Sequence, residues 1–380
     1  MSQMRSAEFE MATESNWKES VEKMVPHLHP AHPPEGEGEG HVPSPSRGRS
    51  GRGRGIFCIL ILLLSGAFSF WSCSRGDYSG KVETITIAVP PLEQNTLLYV
   101  ADQKRFFARN GLNIVMKDYD SGVTALEGML KREADIAEAA EFPVVRALFQ
   151  KEKILVIACN DKFENDYIVG RKDLGITKIS DFKGKRIGVA FKTINEFYLG
   201  RLLALNGMDI RDVTLVDLTP AQYVKAIAGG EVDAIIAWQP YVHRIQREIK
   251  EVVAWPAQSS QAAYGVLVCG SEWIRQHTDT VRRFLKSLQE AENHLVRHPD
   301  EAKEIVRKRL NYDDSYIANV WSQHQFVLSL DQTLIVAMKD EAQWMIDNNL
   351  ANGEQIPDFL NYIYEDGLKA VKPEAVNILR

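Results

Sequence analysis

The sequence predicts an α/β protein of two lobes with a helical C-terminal part. Three observations carry this. From Val82 onward short β-rich runs alternate with helical stretches, the order of a parallel sheet covered by helices. That order runs through once and restarts near Lys185. The length, 380 residues, exceeds one typical domain.

The elements follow in order. Glu83–Val89 (ETITIAV) reads as a strand, and 94–110 as one helix ended by Gly111 as a C-cap glycine. Then come a strand at 112–117, a helix at 123–131, a short strand at 135–138, a helix at 143–149 and a strand at 154–159. The second half gives a strand at 185–190, a helix at 195–206 ending at Gly207, and a strand at 213–217. A helix at 221–228 follows, opened by Thr219-Pro220 with proline in the first turn. A strand at 233–237 and a helix at 241–250 complete it. The halves echo each other: Glu133-Ala134-Asp135 leads through an apolar strand to Pro143, and Glu231-Val232-Asp233 through another to Pro240. After a strand at 264–269 the chain reads as helical, at 280–297, 300–309, 314–326, 333–348 and 357–370. Val281, Phe284, Leu285, Leu288 and Leu295 recur at helical spacing. These helices are expected to pack on the first lobe.

The start of the chain differs. His27 to Arg54 is rich in Pro, Gly, Glu, Ser and Arg and poor in large apolar residues, so 1–55 reads as a disordered extension. Arg47, Arg49, Arg52 and Arg54 precede an uncharged run at 56–72, the pattern of an export signal and about as short as a membrane-spanning helix can be. Cys73 follows Ser72 and resembles a bacterial lipoprotein cleavage site, although Phe70 and Trp71 depart from the usual residues. Segment 56–73 is therefore either a signal ending in lipidation of Cys73 or a retained anchor helix. In both cases the basic flank places the bulk of the chain outside the membrane. Cys159 and Cys269 sit in strand-like segments and read as buried free thiols, neither disulfide framework nor metal site. A net charge of −6 argues against a nucleic-acid partner.

Several stretches, in order, resemble a known family. They are 101–112 (ADQKRFFARNGL), Asp120-Ser121-Gly122, 132–135, Glu141-Phe142-Pro143, 179–189 (ISDFKGKRIGV) and 230–241 (GEVDAIIAWQPY). Together they are similar to the nitrate/sulfonate/taurine and thiamine-pyrimidine-precursor (NMT1/THI5-like) binding proteins of ABC importers. Two departures stand out. Lys104-Arg105 replaces the usual Lys/Gln-Gly, and Gln239 replaces a frequent acidic residue before Pro240. The resemblance implies a type II periplasmic-binding-protein fold with a cleft between parallel-sheet lobes. Lobe one would comprise 82–170 plus 264–380, lobe two 174–254, with hinge crossings near 168–173 and 254–263.

Ligands of open α/β sheets bind beyond the carboxyl ends of the strands, where helix N-termini offer free N–H groups. This selects loops 90–96, 120–124, 139–143, 192–195 and 238–241, with Asn160-Asp161 as a sixth candidate. The candidate ligand residues are Glu93, Gln94, Asn95, Ser121, Glu141, Phe142, Thr193, Asn195, Trp238, Gln239 and Tyr241. The aromatics read equally as core, and Ser121, Thr193 and Asn195 equally as helix caps. Phe142-Pro143 and Trp238–Tyr241 are expected to face each other across the cleft. Glu93, Asp120, Glu138, Glu141 and Asp161 lie at loop ends with only Lys192 opposing them. This fits helix-dipole stabilisation or a ligand with an amino group or several N–H donors.

The reading is an extracytoplasmic solute-binding protein without cofactor, expected to be monomeric, that delivers a small molecule to an ABC permease and its ATPase subunits. The absence of a Walker-type Gly-x-x-x-x-Gly-Lys motif keeps ATP hydrolysis in other subunits. Two alternatives stand beside it. One is an enzyme on the same fold, pyrimidine synthase-like or desulfinase-like. The latter needs a low-pKa cysteine, for which Cys159 is the candidate. The other is a membrane-tethered ligand sensor.

Overall fold

The computed structural model describes residues 78–258, 261–351, 353 and 355–380. The extension at 1–55 and the signal or anchor run ending at Cys73 lie outside the described residues. Strand β1 (Glu83–Val89) alternates until Ala88 and Val89, both buried, as suits a strand in the middle of a sheet. A 3₁₀ turn, Glu93–Asn95, leads into helix α1 (Thr96–Gln103). The single helix expected over 94–110 stops there. Arg105 adopts a left-handed conformation with φ 57°, and α2 (Phe106–Arg109) begins after it. This is the place where the resembling proteins carry glycine, and a Cβ opposes that conformation.

The chain continues through β2 (Leu112–Asp118), α3 (Gly122–Leu130), β3 (Ile136–Ala140), α4 (Glu141–Phe149) and β4 (Ile154–Phe163). Next come β5 (Asp166–Arg171), β6 (Arg186–Val189), α5 (Ile194–Leu205), β7 (Thr214–Asp217), α6 (Tyr223–Ala228), β8 (Ala234–Trp238), α7 (Tyr241–Glu248) and β9 (Val252–Pro256). The last part holds β10 (Ala263–Gly270), α8 (Ser271–Gln276), α9 (Thr278–Arg297), α10 (Pro299–Leu310) and α11 (Asp314–Val320). It closes with β11 (His324–Gln325), β12 (Leu330–Asp331), α12 (Gln332–Asp347), α13 (Asp366–Lys369) and β13 (Val376–Asn377).

Two sheets organise these elements: β11-β4-β10-β3-β1-β2 and β7-β6-β8-β5-β9. Both are mixed where the sequence predicts parallel sheets. β10 runs antiparallel between β3 and β4, and β5 antiparallel between β8 and β9. The hinge crossing expected near 168–173 falls largely on strand β5, a member of the second sheet, whereas the one expected near 254–263 takes in the end of β9 and the second crossing. The chain passes from the first sheet to the second at 164–165 and back at 257–262. Gln258 ties the two crossings: its Nε2 donates to the Phe163 carbonyl, and its Oε1 accepts from the Asp166 amide, both at 2.9 Å.

The C-terminal part packs on the first sheet's side, α9 against α1 and α2. Val281, Phe284, Leu285 and Leu288 form its buried stripe, each contributing about 1.5–3 kcal/mol on full burial. Two expected helices are shorter than the sequence implies. The one over 314–326 ends at Val320, because His324–Gln325 leaves it to pair with β4. The one over 357–370 is a 3₁₀ turn, Phe359–Tyr362, and the short α13; between them the Tyr364 amide donates to the Val156 carbonyl of β4 at 2.9 Å. Among the described residues no helix is long and apolar enough to cross a membrane.

The two sheet bodies touch. Phe197 of α5 meets Phe142 of α4 and Trp344 of α12, with centroids 6.0 and 5.7 Å apart. Arg201 pairs with Asp340, and Arg247 with Asp313 at 3.6 Å.

Arg105 is exposed and left-handed, so Arg105→Gly should stabilise the fold. The expected gain in urea denaturation is about 0.5–1 kcal/mol, the relief of backbone strain less glycine's larger unfolded-state entropy. A loss of stability would show that the Arg105 side chain holds this turn.

Candidate functional site

Two helix N-termini, one from each sheet body, converge on a small cavity. The first is α3. Its N-cap, Ser121, forms a capping box with Thr124: the Thr124 amide donates to Ser121 Oγ at 3.3 Å, and the Ser121 amide to Thr124 Oγ1 at 3.1 Å. Gly122 opens this helix because a Cβ there would lie 2.8 Å from the Ala139 Cα. The second is α5, preceded by Thr193, whose hydroxyl donates to the Ala190 carbonyl at 2.7 Å. Unpaired N–H groups of a first helical turn and the positive end of the helix dipole favour an anionic group at such a place. The cavity, about 40 Å³, is also lined by Pro90, Leu92, Gln94, Phe163, Asp166 and Trp238. Space of this size accommodates a few water molecules. A larger open groove of about 810 Å³ between α2 and α9 is lined by Lys104, Arg109, Lys286 and His294 and takes no residue from the second sheet.

Of the residues singled out from sequence, Gln94, Ser121, Thr193 and Trp238 line this cavity. Gln94 is held by Glu138, with Nε2 2.8 and 2.9 Å from the two carboxyl oxygens. Trp238 packs edge-on against Tyr223 and Tyr241, and its Nε1 has no acceptor among the described residues. Asn195 is buried with both amide atoms unpartnered among the described residues. Asn95 donates to the Pro90 carbonyl and to Glu138. Gln239 accepts from the His243 amide at 3.1 Å. Tyr241 lies with Pro240, Arg244 and Tyr312 in a neighbouring groove of about 280 Å³. Phe142 is fully buried against Phe197 and Trp344. The pair of aromatic-proline corners facing each other is therefore not formed: Pro143 reaches the cavity, while Phe142 belongs to the core.

Of the loop acids, Asp120 is exposed, while Glu93, Glu138, Glu141 and Asp161 are buried and engaged by the protein. Glu93 accepts from Tyr316 at 2.9 Å and Tyr312 at 3.2 Å. Burial pushes Glu138 up to about 8, against the Gln94 and Asn95 amides that favour its charge. Glu141 accepts the Tyr264 amide at 2.9 Å, and burial pushes it up to about 7. Burial, and then the neighbouring Glu141, hold Glu341 well above the carboxylate range. Asp161 faces His324, with Nδ1 to Oδ2 at 2.5 Å. Burial raises Asp161 to about 6 even so, while Asp161 and Glu93 overcome desolvation and hold the imidazole up to about 9. The tyrosines and His324 carry no local signal in the sequence because they arrive from the C-terminal part of the chain, more than 160 residues away. Cys159 is fully buried, donates to the Asp161 carbonyl at 3.1 Å, and its thiol is pushed up by desolvation. That environment suppresses a nucleophilic thiolate.

Asp166 was missed for a topological reason. The expected ligand loops lie at carboxyl ends of parallel strands, whereas β5 is antiparallel, so its first residue pairs with the last of β8, Trp238.

Solved structures share this architecture. The alkanesulfonate-binding protein SsuA from Xanthomonas axonopodis pv. citri bound to MOPS superposes with a TM-score of 0.67 at 17% identity, covering 76% of this chain and all of that one. The desulfurization enzyme DSZB superposes at 0.57 with 16% identity, covering 77% and 99%. The fold is thus that of the periplasmic binding proteins, two-lobed and of type II. More narrowly, the model of the NMT1/THI5 like family matches residues 93–302, over half of the chain, and the chain belongs to that family. The taurine-binding periplasmic protein of Escherichia coli (strain K12) is 24% identical over 230 residues, 59% of this chain and 70% of that protein.

The buried charges set a pH dependence. An unfolded histidine titrates near 6.5, so the His324 contribution is full below about 6.5 and is lost as pH rises through about 9. The raised carboxyls act in the same direction, since the fold retains protons that the unfolded chain has released. Denaturant titrations should therefore show stability falling from pH 6 to pH 9.5. His324→Gln should cost about 3 kcal/mol at pH 7 by unpairing a buried charge, with the deficit shrinking by pH 9.5. A deficit independent of pH would mean that His324 contributes by packing alone.

Proposed function

We propose that this chain is the extracytoplasmic solute-binding component of an ABC importer, closing on a small nitrogen- or sulfur-containing organic solute and presenting it to a membrane permease. The observation that carries this is the cavity itself, built from helix N-termini of both sheet bodies with Trp238 and Gln94 on its walls. A solute seated there contacts both bodies, so its binding free energy is available in full only when they are together, and it shifts the chain toward the closed form. Lobe one is the first sheet with the C-terminal helices; lobe two is β5 to β9. The hinge consists of the crossings at 164–165 and 257–262. Segment 56–73 supplies the tether, through lipid on Cys73 or as a helix.

The taurine-binding and alkanesulfonate-binding relatives support the solute class, and the buried, raised thiol of Cys159 weighs against a desulfinase-like reaction. Ligand-site assignments to Gln94, Ser121, Thr193 and Trp238 rest on their place at the cavity. Glu93, Glu141 and Phe142 serve as its supporting frame.

The test uses purified protein and a panel of amino-sulfonates, alkanesulfonates and aminopyrimidines. A compound that raises the melting temperature should also reduce the radius of gyration in small-angle scattering, without being chemically changed. Gly200→Val supplies the control. A Cβ at residue 200 would fall 2.5 Å from Trp344 Cζ2, across the two bodies, so the variant should keep its helix content, show a larger radius and bind roughly tenfold more weakly or worse. Turnover of a panel compound, or binding without compaction, would overturn the proposal.

A further inference from the structure

Asp166 lines the cavity, and no protein donor engages its carboxyl group, which burial and the nearby Glu141 hold well above the usual carboxylate range. Its residue is 1% exposed, and neither carboxyl oxygen has a hydrogen-bond partner among the described residues. Its backbone is fixed, the amide donating to Gln258 Oε1 and the carbonyl accepting from the Ala257 amide, both at 2.9 Å. The side chain is thus held at the cavity wall by its own strand. Most other buried acids are treated differently: Glu93 has two tyrosines, Glu138 two amides and Asp161 a histidine, while Glu341, whose carboxyl oxygens also lack a partner among the described residues, does not line the cavity. A buried carboxyl without a donor is costly, and such a group at a cavity calls for a partner from outside the chain.

The surroundings narrow what that partner is. Gln94 commits its NH₂ to Glu138, so the amide oxygen is what it can offer outward. No Lys or Arg lines the cavity among the described residues. The positive features there are the first turns of α3 and α5, which suit an anion, and the unpartnered indole N–H of Trp238.

We infer that Asp166 receives an N–H group of the solute, an ammonium or an aromatic amine, and makes the site select solutes that carry one over otherwise identical solutes that do not. An anionic end, where present, lies at the N-termini of α3 and α5. This assignment rests on the solute-binding reading and names the residue that sets its selectivity.

The experiment compares matched probes by calorimetric titration: taurine against ethanesulfonate, and 4-aminopyrimidine against pyrimidine, on the wild type and Asp166→Asn. For a pair that binds, the amino member should be tighter by on the order of tenfold or more in the wild type, as a charge-assisted hydrogen bond implies. Asp166→Asn should erase that preference while retaining the weaker binding of the amine-free member. Equal affinity within a pair for the wild type, or a preference that survives in Asp166→Asn, overturns the assignment. A second measurement needs no ligand. Removing an unpartnered buried carboxyl should raise the melting temperature of ligand-free Asp166→Asn above that of the wild type, whereas a fall would show that the protein itself uses this carboxyl and would overturn the proposal. If all four probes fail to bind the wild type, the solute classes proposed above fail, and the melting comparison alone decides the role of Asp166.

Discussion

The geometry of the site depends on how the chain crosses between its two sheets. Leaving β4 at Phe163, it enters the second sheet at Asp166 antiparallel to β8. That reversal sets Asp166 beside Trp238, at the end where β6 and β8 deliver their loops. Gln258 fastens this arrangement by bonding to Phe163 on one side of the first crossing and to Asp166 on the other. Both crossings are therefore coupled by one buried side chain. The closure proposed above would turn about that joint.

Around the first sheet the protein buries several acids, and four of them, Glu93, Asp161, Glu138 and Glu141, are each engaged in their own way. Glu93 and Asp161 are served from the C-terminal region by Tyr312, Tyr316 and His324. Glu138 is served by amides one strand away, and Glu141 by the backbone of β10. Removing one partner from such a set leaves an unpaired polar group in a medium of low polarity, which costs more than the bond itself contributes. This ties the C-terminal helices to the loop that carries Gln94. The helices do more than cover an apolar face, because they complete the polar interior beneath the cavity.

Much of the site was legible because loop positions follow from the order of elements. Ser121, Thr193, Gln94 and Trp238 each stand where a strand hands over to a helix, and local pattern locates such junctions. The misreadings share a cause. Phe142 has the same local setting as Trp238, an aromatic next to a proline-marked helix start, yet it faces Phe197 and Trp344 instead of the cavity. Asp166 carries no local signal at all. A polar residue opening a strand looks like part of a turn until the direction of its neighbour is known. Arg105 stands out in the sequence as a departure from the family's glycine, but the break in the helix expected over 94–110 appears only with the left-handed backbone at that residue.

By itself the sequence determined the α/β class, eight of the eleven strands of the two main sheets, the repeat of the two halves and the family. These are written in periods of two and 3.6 residues and in short motifs, and each is a property of neighbours along the chain. The tertiary structure alone decided that β5 and β10 run antiparallel, that His324 leaves its helix to meet Asp161, and that Phe142 turns inward. Those outcomes depend on contacts between residues far apart in the chain, where one reversal of direction moves a whole strand end to the opposite side of its sheet. Periodicity says which face of an element is buried, and it is indifferent to what that face will meet.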